Sequence, residues 1–239
     1  MFYYYGMDSS YLIFVVLLGL ALILGMYAQN LINQRYTTYK RMYTQNGMTG
    51  EQAARKVLDA NGLYQIPVEC ISGKLTDHYD PKRNTVRLSE ENYYGNSVAA
   101  VGIACHEVGH AIQYNRNYAP IHLRAAIVPI TNIGSMISPY MILLGIFISS
   151  LNVLAWAGLI LYSFSTIFQL ITLPVEINAS SRALKTIQEM HLLNTDEEYE
   201  GAKKVLTAAA LTYVASLVTS LVYLLRMVMM VFNNTRRDD

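Results

Sequence analysis

Long uncharged stretches alternate along the chain with shorter segments that carry charged residues. No Asp, Glu, Lys or Arg occurs in residues 9–34, 125–175 or 205–225. A helix needs about 20 mostly apolar residues to cross the hydrocarbon core of a bilayer, so the first and third stretches each fit one span. The second stretch is long enough for two. The pattern therefore predicts an α-helical membrane protein with about four transmembrane helices.

Polar residues and a proline divide the second stretch and set its end. Residues 149–152 interrupt it and predict two helices, over about 125–148 and 153–173, joined by a tight hairpin. Pro174 comes next. Because proline is favoured in the first turn of a helix and disruptive deeper inside, it predicts that a new polar helix begins there.

Residues 35–124 are polar by comparison and have the pattern of a small folded domain. Thr49 is placed to cap a helix that Gly62 ends. Apolar and polar residues alternate at 67–71 and at 84–89, which predicts two short strands. Asn96 or Ser97 is then placed to cap a longer helix over about 98–114.

The pattern thus divides the chain into five segments. They are an N-terminal segment with a transmembrane anchor (1–34), a polar domain (35–124), a transmembrane hairpin (125–173), polar helices (174–204), and a last transmembrane helix with its tail (205–239).

Basic residues indicate on which side of the membrane the polar domain lies. Residues 35–124 contain eleven Lys and Arg, whereas the ten residues before the first span contain none. By the positive-inside rule, the protein is predicted to be a multi-pass protein of the cell membrane with this domain in the cytoplasm. The net charge of +1 gives no indication of a nucleic-acid partner. Cys70 and Cys105 are predicted to be free thiols in a reducing compartment.

The long helix of the polar domain carries a candidate metal site. His106 and His110 are four residues apart, a spacing that places both imidazoles on one face of a helix. Two neutral imidazoles so placed suit zinc, and Glu107 beside them is the residue type that accepts a proton from zinc-activated water. The pattern predicts that His106 and His110 bind Zn²⁺ and that Glu107 is catalytic.

A catalytic zinc ion usually has three protein ligands and one open position. The candidates for the third ligand include the remaining histidines, His78, His122 and His191, and among the carboxylates Glu176 is the strongest. Glu176 directly follows the predicted hairpin, whose two crossings return the chain to the side on which the histidine pair lies.

Three motifs together resemble the YugP-type neutral zinc metallopeptidases of bacterial membranes. They are His-Glu-Val-Gly-His-Ala-Ile-Gln at 106–113, a paired transmembrane segment, and Pro-Val-Glu-Ile-Asn-Ala-Ser-Ser-Arg-Ala at 174–183. The chain is similar, more distantly, to the heat-shock-induced membrane zinc peptidases and the CAAX prenyl endopeptidases. Their third ligand is the Glu of a Glu-x-x-Ala-Asp motif, which implies Glu176 here. Their Asp corresponds to Ser180, so Asn178, Ser180 or another side chain is left to orient a zinc-binding histidine.

The resemblance implies a small α+β zincin-like metalloprotease domain, gluzincin-like in its ligands, that cleaves membrane or misfolded proteins. It also implies that an edge strand upstream of the metal helix binds the peptide as an extra strand, and residues 85–88 are the predicted position of that strand. Glu107 would accept the proton of the attacking water. The candidates for stabilising the oxyanion are His78, Tyr79, Arg182 and His191.

Two other interpretations start from the same residues. In an intramembrane-cleaving metalloprotease the histidine pair would lie within a span, but Glu91 and Arg116 flank it closely and no Asp lies within a predicted span. In a membrane scaffold or adaptor the metal would be structural, although structural zinc sites usually have four protein ligands and no base. A scaffold partner or a homo-oligomer is compatible with each interpretation.

Overall fold

The computed structural model of the chain describes residues 9–238 and is mostly helical. In chain order its elements are α1 (Ser9–Lys40), α2 (Gly50–Ala60), β1 (Val68–Ile71), β2 (His78–Asp80), β3 (Thr85–Ser89), α3 (Glu90–Tyr94), α4 (Val98–Asn115), α5 (Ala119–Phe147), a 3₁₀ turn (Ser149–Leu151), α6 (Asn152–Glu189) and α7 (Asp196–Asp238). The start of the predicted segment 1–34 and the last residue of the segment 205–239 lie outside the described residues.

Within residues 9–238, four helices are long and apolar enough to cross a membrane, namely α1, α5, α6 and α7. The prediction of four candidate membrane-spanning helices is therefore confirmed. Helix α4, which carries the histidine pair, is not among them.

Helix α6 shows that the predicted helix start at Pro174 is wrong. The helix runs without a break from Asn152 to Glu189, and Pro174 lies inside it. A proline removes one backbone hydrogen bond, but membrane helices tolerate this because neighbouring groups satisfy the freed carbonyl. Glu176 therefore lies within a continuous helix and not in a first turn.

The chain forms two compact units. Among the described residues, the helical unit consists of 9–27, 123–171 and 213–238, and the sheet-containing unit consists of 28–122 and 172–212. Within the helical unit, α5 and α6 pack closely where Gly145 meets Ala155 and where Gly158 meets Ile142. Small residues at such contacts let the backbones of membrane helices approach each other.

The sheet has three strands in the order β1–β3–β2. Strand β3 is parallel to β1 and antiparallel to β2, so that Val86 pairs with Val68 on one side and with Tyr79 on the other. The two predicted strands are confirmed, and β2 is a strand that the sequence pattern did not predict. The prediction of an edge strand at 85–88 is wrong, because β3 is the central strand and its backbone groups already face two neighbours. The sheet edges are β1 and β2.

Helix α4 is held in the core of the sheet-containing unit. Ser97 caps it by accepting a hydrogen bond from the N–H of Ala100, and Thr49 caps α2 through a reciprocal pair of hydrogen bonds with Gln52. The predicted cap of α2 and one of the two candidate caps of α4 are thus confirmed. The core joins α2, β3, α4 and the end of α6 and includes Val57, Leu58, Val86, Leu88, Val101, Val108 and Ile187. This burial fixes the helix on which His106 and His110 lie.

Both cysteines are free, as predicted. Cys70 is exposed and Cys105 is buried. Burial raises the pKa of the Cys105 thiol to about 12, so this residue stays protonated in the core.

Candidate metal centre

Three side chains from two helices of the sheet-containing unit come together. His106 and His110 project from α4, and Glu176 projects from α6. Their ligand atoms all lie within 4.8 Å of one another. In the part of the chain that the structure describes, this is the group of His, Cys, Asp or Glu side chains that is placed to hold a metal ion.

The distances among these atoms fit a tetrahedral zinc ion. Nε2 of His106 lies 3.3 Å from Oε2 of Glu176, and Nε2 of His110 lies 3.5 Å from the same oxygen. Zinc bonds of about 2.0–2.1 Å at tetrahedral angles separate two ligand atoms by about 3.3–3.4 Å. Two imidazoles and one carboxylate are also a donor set of catalytic zinc sites that keep one position open. The residues therefore fit the metal that the sequence predicts.

The environment of the site favours a cation. The side chain of Glu176 is 3% exposed, and that of His110 is 11% exposed. Burial alone lowers the pKa of His110, but the hydrogen bond and the charge of Glu176, together with the charge of Glu107, outweigh it, so the pKa is raised. The two carboxylates thus supply negative charge to a pocket with little access to water.

Glu107 is held by the strand that the sequence pattern did not predict. Its Oε2 atom accepts a hydrogen bond from the backbone N–H of Tyr79, at 3.1 Å, and Tyr79 is the middle residue of β2. The residue is buried, with 8% of its surface exposed. Because the contact is made by a backbone group, no side-chain pattern in the sequence could have identified it.

The second ring nitrogen of each histidine also has a partner. Nδ1 of His106 lies 3.1 Å from the hydroxyl oxygen of Ser180, and Nδ1 of His110 lies 2.9 Å from Oε1 of Gln113. A hydrogen bond at Nδ1 leaves Nε2, the nitrogen that faces Glu176, to bind a metal. Ser180 was a sequence candidate for this role, whereas Gln113 was not. Its position three residues after His110, on the same helix face, could have indicated it.

The remaining histidines do not join the metal group. His78 is exposed, and its Nδ1 lies 2.7 Å from the carbonyl oxygen of Thr76. The ring of His122 packs against the ring of Tyr114 at a centroid distance of 5.1 Å. His191 is an exposed turn residue with a φ angle of 49°.

Two of the candidate oxyanion donors hydrogen-bond to asparagine side chains. The hydroxyl of Tyr79 donates to Oδ1 of Asn84 at 2.6 Å. Nε of Arg182 donates to Oδ1 of Asn178 at 2.8 Å. Both groups therefore have a hydrogen-bond partner within the sheet-containing unit.

Comparisons with known proteins match the chain to a zinc metallopeptidase family. The family described as "Putative neutral zinc metallopeptidase" matches residues 14–232. The chain is 47% identical over 228 residues to the "Putative membrane protease YugP" of Bacillus subtilis (strain 168), and this match covers 95% of the chain and 100% of that protein. No solved structure matches the chain.

Proposed function

The chain belongs to the neutral zinc metallopeptidase family, and we propose that it is a multi-pass membrane endopeptidase that cleaves membrane or membrane-proximal proteins. The observation that carries the proposal is the convergence of His106, His110 and Glu176, with Glu107 buried beside them. We class the site as gluzincin-like, because a His-Glu-x-x-His helix and a glutamate from a second helix supply the ligands. We class the small α+β domain as zincin-like on the same grounds.

Glu107 is the general base and acid of the proposed reaction. A bound zinc ion supplies a Lewis acid that makes water acidic enough to react near neutral pH. Glu107 takes up the proton that the water loses and passes it to the leaving amine of the scissile bond. The hydrogen bond from Tyr79 fixes one oxygen of the carboxylate, which leaves the other oxygen to carry the proton.

We propose that the polypeptide binds along β2 and not along β3. Strand β2 is an edge of the sheet, and the N–H of its middle residue, Tyr79, points to Glu107. In an antiparallel strand the carbonyl of a residue points to the same side as its N–H, so the carbonyl of Tyr79 can accept a hydrogen bond from a peptide. Such a peptide would pass beside the catalytic carboxylate. Recognition through the backbone would tolerate many substrate sequences.

We propose a cytoplasmic position for the site, because the basic residues lie in the segment that contains it. The position of the histidine pair on α4, which is not one of the four apolar helices, favours cleavage outside the bilayer over intramembrane cleavage. A reporter domain fused in the 149–152 hairpin should report the outer side, and a cytoplasmic result there would overturn this orientation.

The Glu107→Gln variant tests the proposed function. We expect the full-length protein in detergent to bind zinc as before and to lose at least about 100-fold in the rate of cleavage of an unfolded protein. Glu189→Gln is the matched control, because this carboxylate is exposed on α6. Undiminished cleavage by Glu107→Gln would overturn the mechanism. Zinc binding by a wild-type protein that cleaves nothing would favour the scaffold interpretation.

A further inference from the structure

We infer that Gln113, Asn178 and Arg182 form a directed chain of hydrogen bonds that positions the zinc ligand His110 relative to Glu176. The inference rests on the proposed metal site and extends it to three residues that do not touch the metal. Oε1 of Gln113 lies 2.9 Å from Nδ1 of His110. Nε2 of Gln113 donates to Oδ1 of Asn178 at 3.0 Å, and Nε of Arg182 donates to that same oxygen at 2.8 Å.

Arg182 sets the direction of the hydrogen bond at Asn178, because a guanidinium group can donate hydrogen bonds but cannot accept them. The atom of Asn178 that faces it must therefore be the carbonyl oxygen. The atom of Gln113 that faces this oxygen must be the amide nitrogen, which turns the carbonyl oxygen of Gln113 towards His110. His110 must then carry its proton on Nδ1, and Nε2 is left to bind the metal. The carbonyl oxygen of Val175, which can only accept, requires the same orientation of Gln113, so a charged residue and a backbone group together fix the tautomer of a ligand inside the site.

The same glutamine also joins the two helices that carry the ligands. Its Nε2 donates a second hydrogen bond, at 2.8 Å, to the carbonyl oxygen of Val175, the residue before Glu176. Gln113 is fully buried, at 0% exposed, so its polar atoms depend on these partners. One side chain therefore ties the ring of His110 on α4 to the backbone beside Glu176 on α6. This connection fixes the separation of two ligands to the tolerance that zinc coordination requires.

His106 has a less restrictive partner. The hydroxyl of Ser180 can donate or accept, and it rotates about its Cβ–Oγ bond, so it does not impose a tautomer on the ring. The directed chain therefore acts on His110 in particular. Asn178 and Arg182 are only partly buried, which allows them to be changed with little effect on the core.

The experiment compares four variants of the full-length protein in detergent, namely Asn178→Leu, Asn178→Asp, Arg182→Met and, as control, Lys185→Met. Asn178→Leu removes the acceptor, whereas Asn178→Asp keeps an oxygen that accepts from both neighbours. Lys185→Met removes a positive charge from the exposed face of the same helix. The measurements are zinc affinity by competition with a chelator, the visible absorption spectrum of the Co²⁺-substituted protein, and the unfolding midpoint of the metal-free protein.

We expect Asn178→Leu to weaken zinc binding by about 10- to 100-fold and to change the cobalt spectrum. Asn178→Asp should recover most of this loss, Arg182→Met should weaken binding to a smaller extent, and Lys185→Met should match the wild type. The unfolding midpoints of the metal-free variants should be equal, because the chain of hydrogen bonds positions a ligand and does not stabilise the core. If only Asn178→Leu has a lowered unfolding midpoint, its zinc affinity is not used. The zinc affinity of Arg182→Met, compared with that of Lys185→Met, then tests the inference.

Two results would overturn the inference while leaving the proposed function intact: equal zinc affinity of Asn178→Leu and the control, or equally weak binding by the Leu and Asp variants. Failure of the wild-type protein to bind zinc at all would instead overturn the metal site itself. The zinc affinities thus distinguish failure of the inferred hydrogen-bond chain from failure of the proposed function.

Discussion

Gly109 of α4 lies directly against the backbone of Ala179 of α6. A Cβ atom at position 109 would come within 2.8 Å of the carbonyl oxygen of Ala179, a distance at which one of the two helices has to move. Gly109 precedes His110 by one residue, and Ala179 follows Glu176 by three, so the contact lies at the level of the metal centre. The close approach of the two helices that carry the ligands therefore depends on the absence of a side chain at this position.

We predict that Gly109→Ala lowers zinc affinity by about tenfold or more, because coordination distances tolerate shifts of only about 0.2 Å. Gly102→Ala is the matched control, since it lies on the same helix and its Cβ atom would come 3.3 Å from the Cβ of Ala202, a contact that a small adjustment can relieve. Titration of zinc against a chelator checks both variants. Equal affinities in the two variants would contradict the role assigned to the α4–α6 contact.

On acidification, zinc release should begin at a pH above the ordinary pKa of histidine. Zinc binds the neutral imidazole, and the pKa of His110 is raised above 6.5 because Glu176 and Glu107 outweigh the effect of burial. Below that raised pKa, apparent zinc affinity should fall by about tenfold per pH unit for one competing proton. A chelator titration repeated from about pH 5.5 to about pH 8.5 measures this dependence.

In the metal-free protein, the contribution of His110 to stability should decrease as the pH rises, whereas zinc affinity increases. A histidine whose folded pKa is raised stabilises the fold below its unfolded pKa, and this contribution is lost as the pH rises through the folded pKa. Unfolding midpoints measured with zinc and with excess chelator should therefore diverge as the pH rises. Parallel curves would show that His110 does not titrate as the geometry requires.

Much of the fold follows from local patterns in the sequence. The long uncharged stretches predicted the four apolar helices, and the caps at Thr49 and Ser97 follow from residue types that accept hydrogen bonds from free N–H groups. Two of the residues predicted as zinc ligands, His106 and His110, lie together because they share one face of α4. These features depend on chemistry within a few residues.

Apart from the position of Glu176, features that depend on distant contacts were not predicted. Strand β2 has three residues, too few for a recognisable alternation, and it exists because β3 pairs with it. Pro174 was expected to begin a helix, but it lies inside α6. Neighbouring groups can compensate for the backbone hydrogen bond that a proline removes. Gln113 has no charge or metal-binding chemistry of its own, and its role emerges only when α6 brings Val175 and Asn178 against it.

A buried carboxylate at the start of α7 should contribute strongly to the stability of the sheet-containing unit. Glu198 is 1% exposed and accepts hydrogen bonds from the backbone N–H groups of Gln45, Asn194 and Thr195. We predict that Glu198→Ala lowers the free energy of unfolding by about 2–3 kcal/mol, because it removes the buried carboxylate that accepts three backbone hydrogen bonds. Glu197→Ala, at the exposed neighbouring position, should have little effect. Denaturant unfolding in detergent compares the two, and equal losses would contradict the prediction.

Removing a contact that anchors β2 should impair substrate binding and leave zinc affinity unchanged. Arg87 of β3 lies across the sheet between Glu69 and Asp80, at 3.2 Å and 3.0 Å, and its contact with Asp80 anchors the end of β2. Arg87→Met should loosen this strand and raise KM for an unfolded protein by about two- to fivefold, as expected for the loss of a partly exposed ion pair. Zinc affinity should not change, since Arg87 contacts no ligand.

Lys82→Met provides the control for this change, because Lys82 lies in the exposed turn after β2 and carries the same charge. A rise in KM in Arg87→Met alone, with unchanged zinc affinity, supports peptide binding along β2. An equal rise in both variants would indicate a general effect of charge on the substrate. An unchanged KM in Arg87→Met would show that the peptide does not rely on this edge, because loosening an edge strand necessarily disturbs any backbone it pairs with.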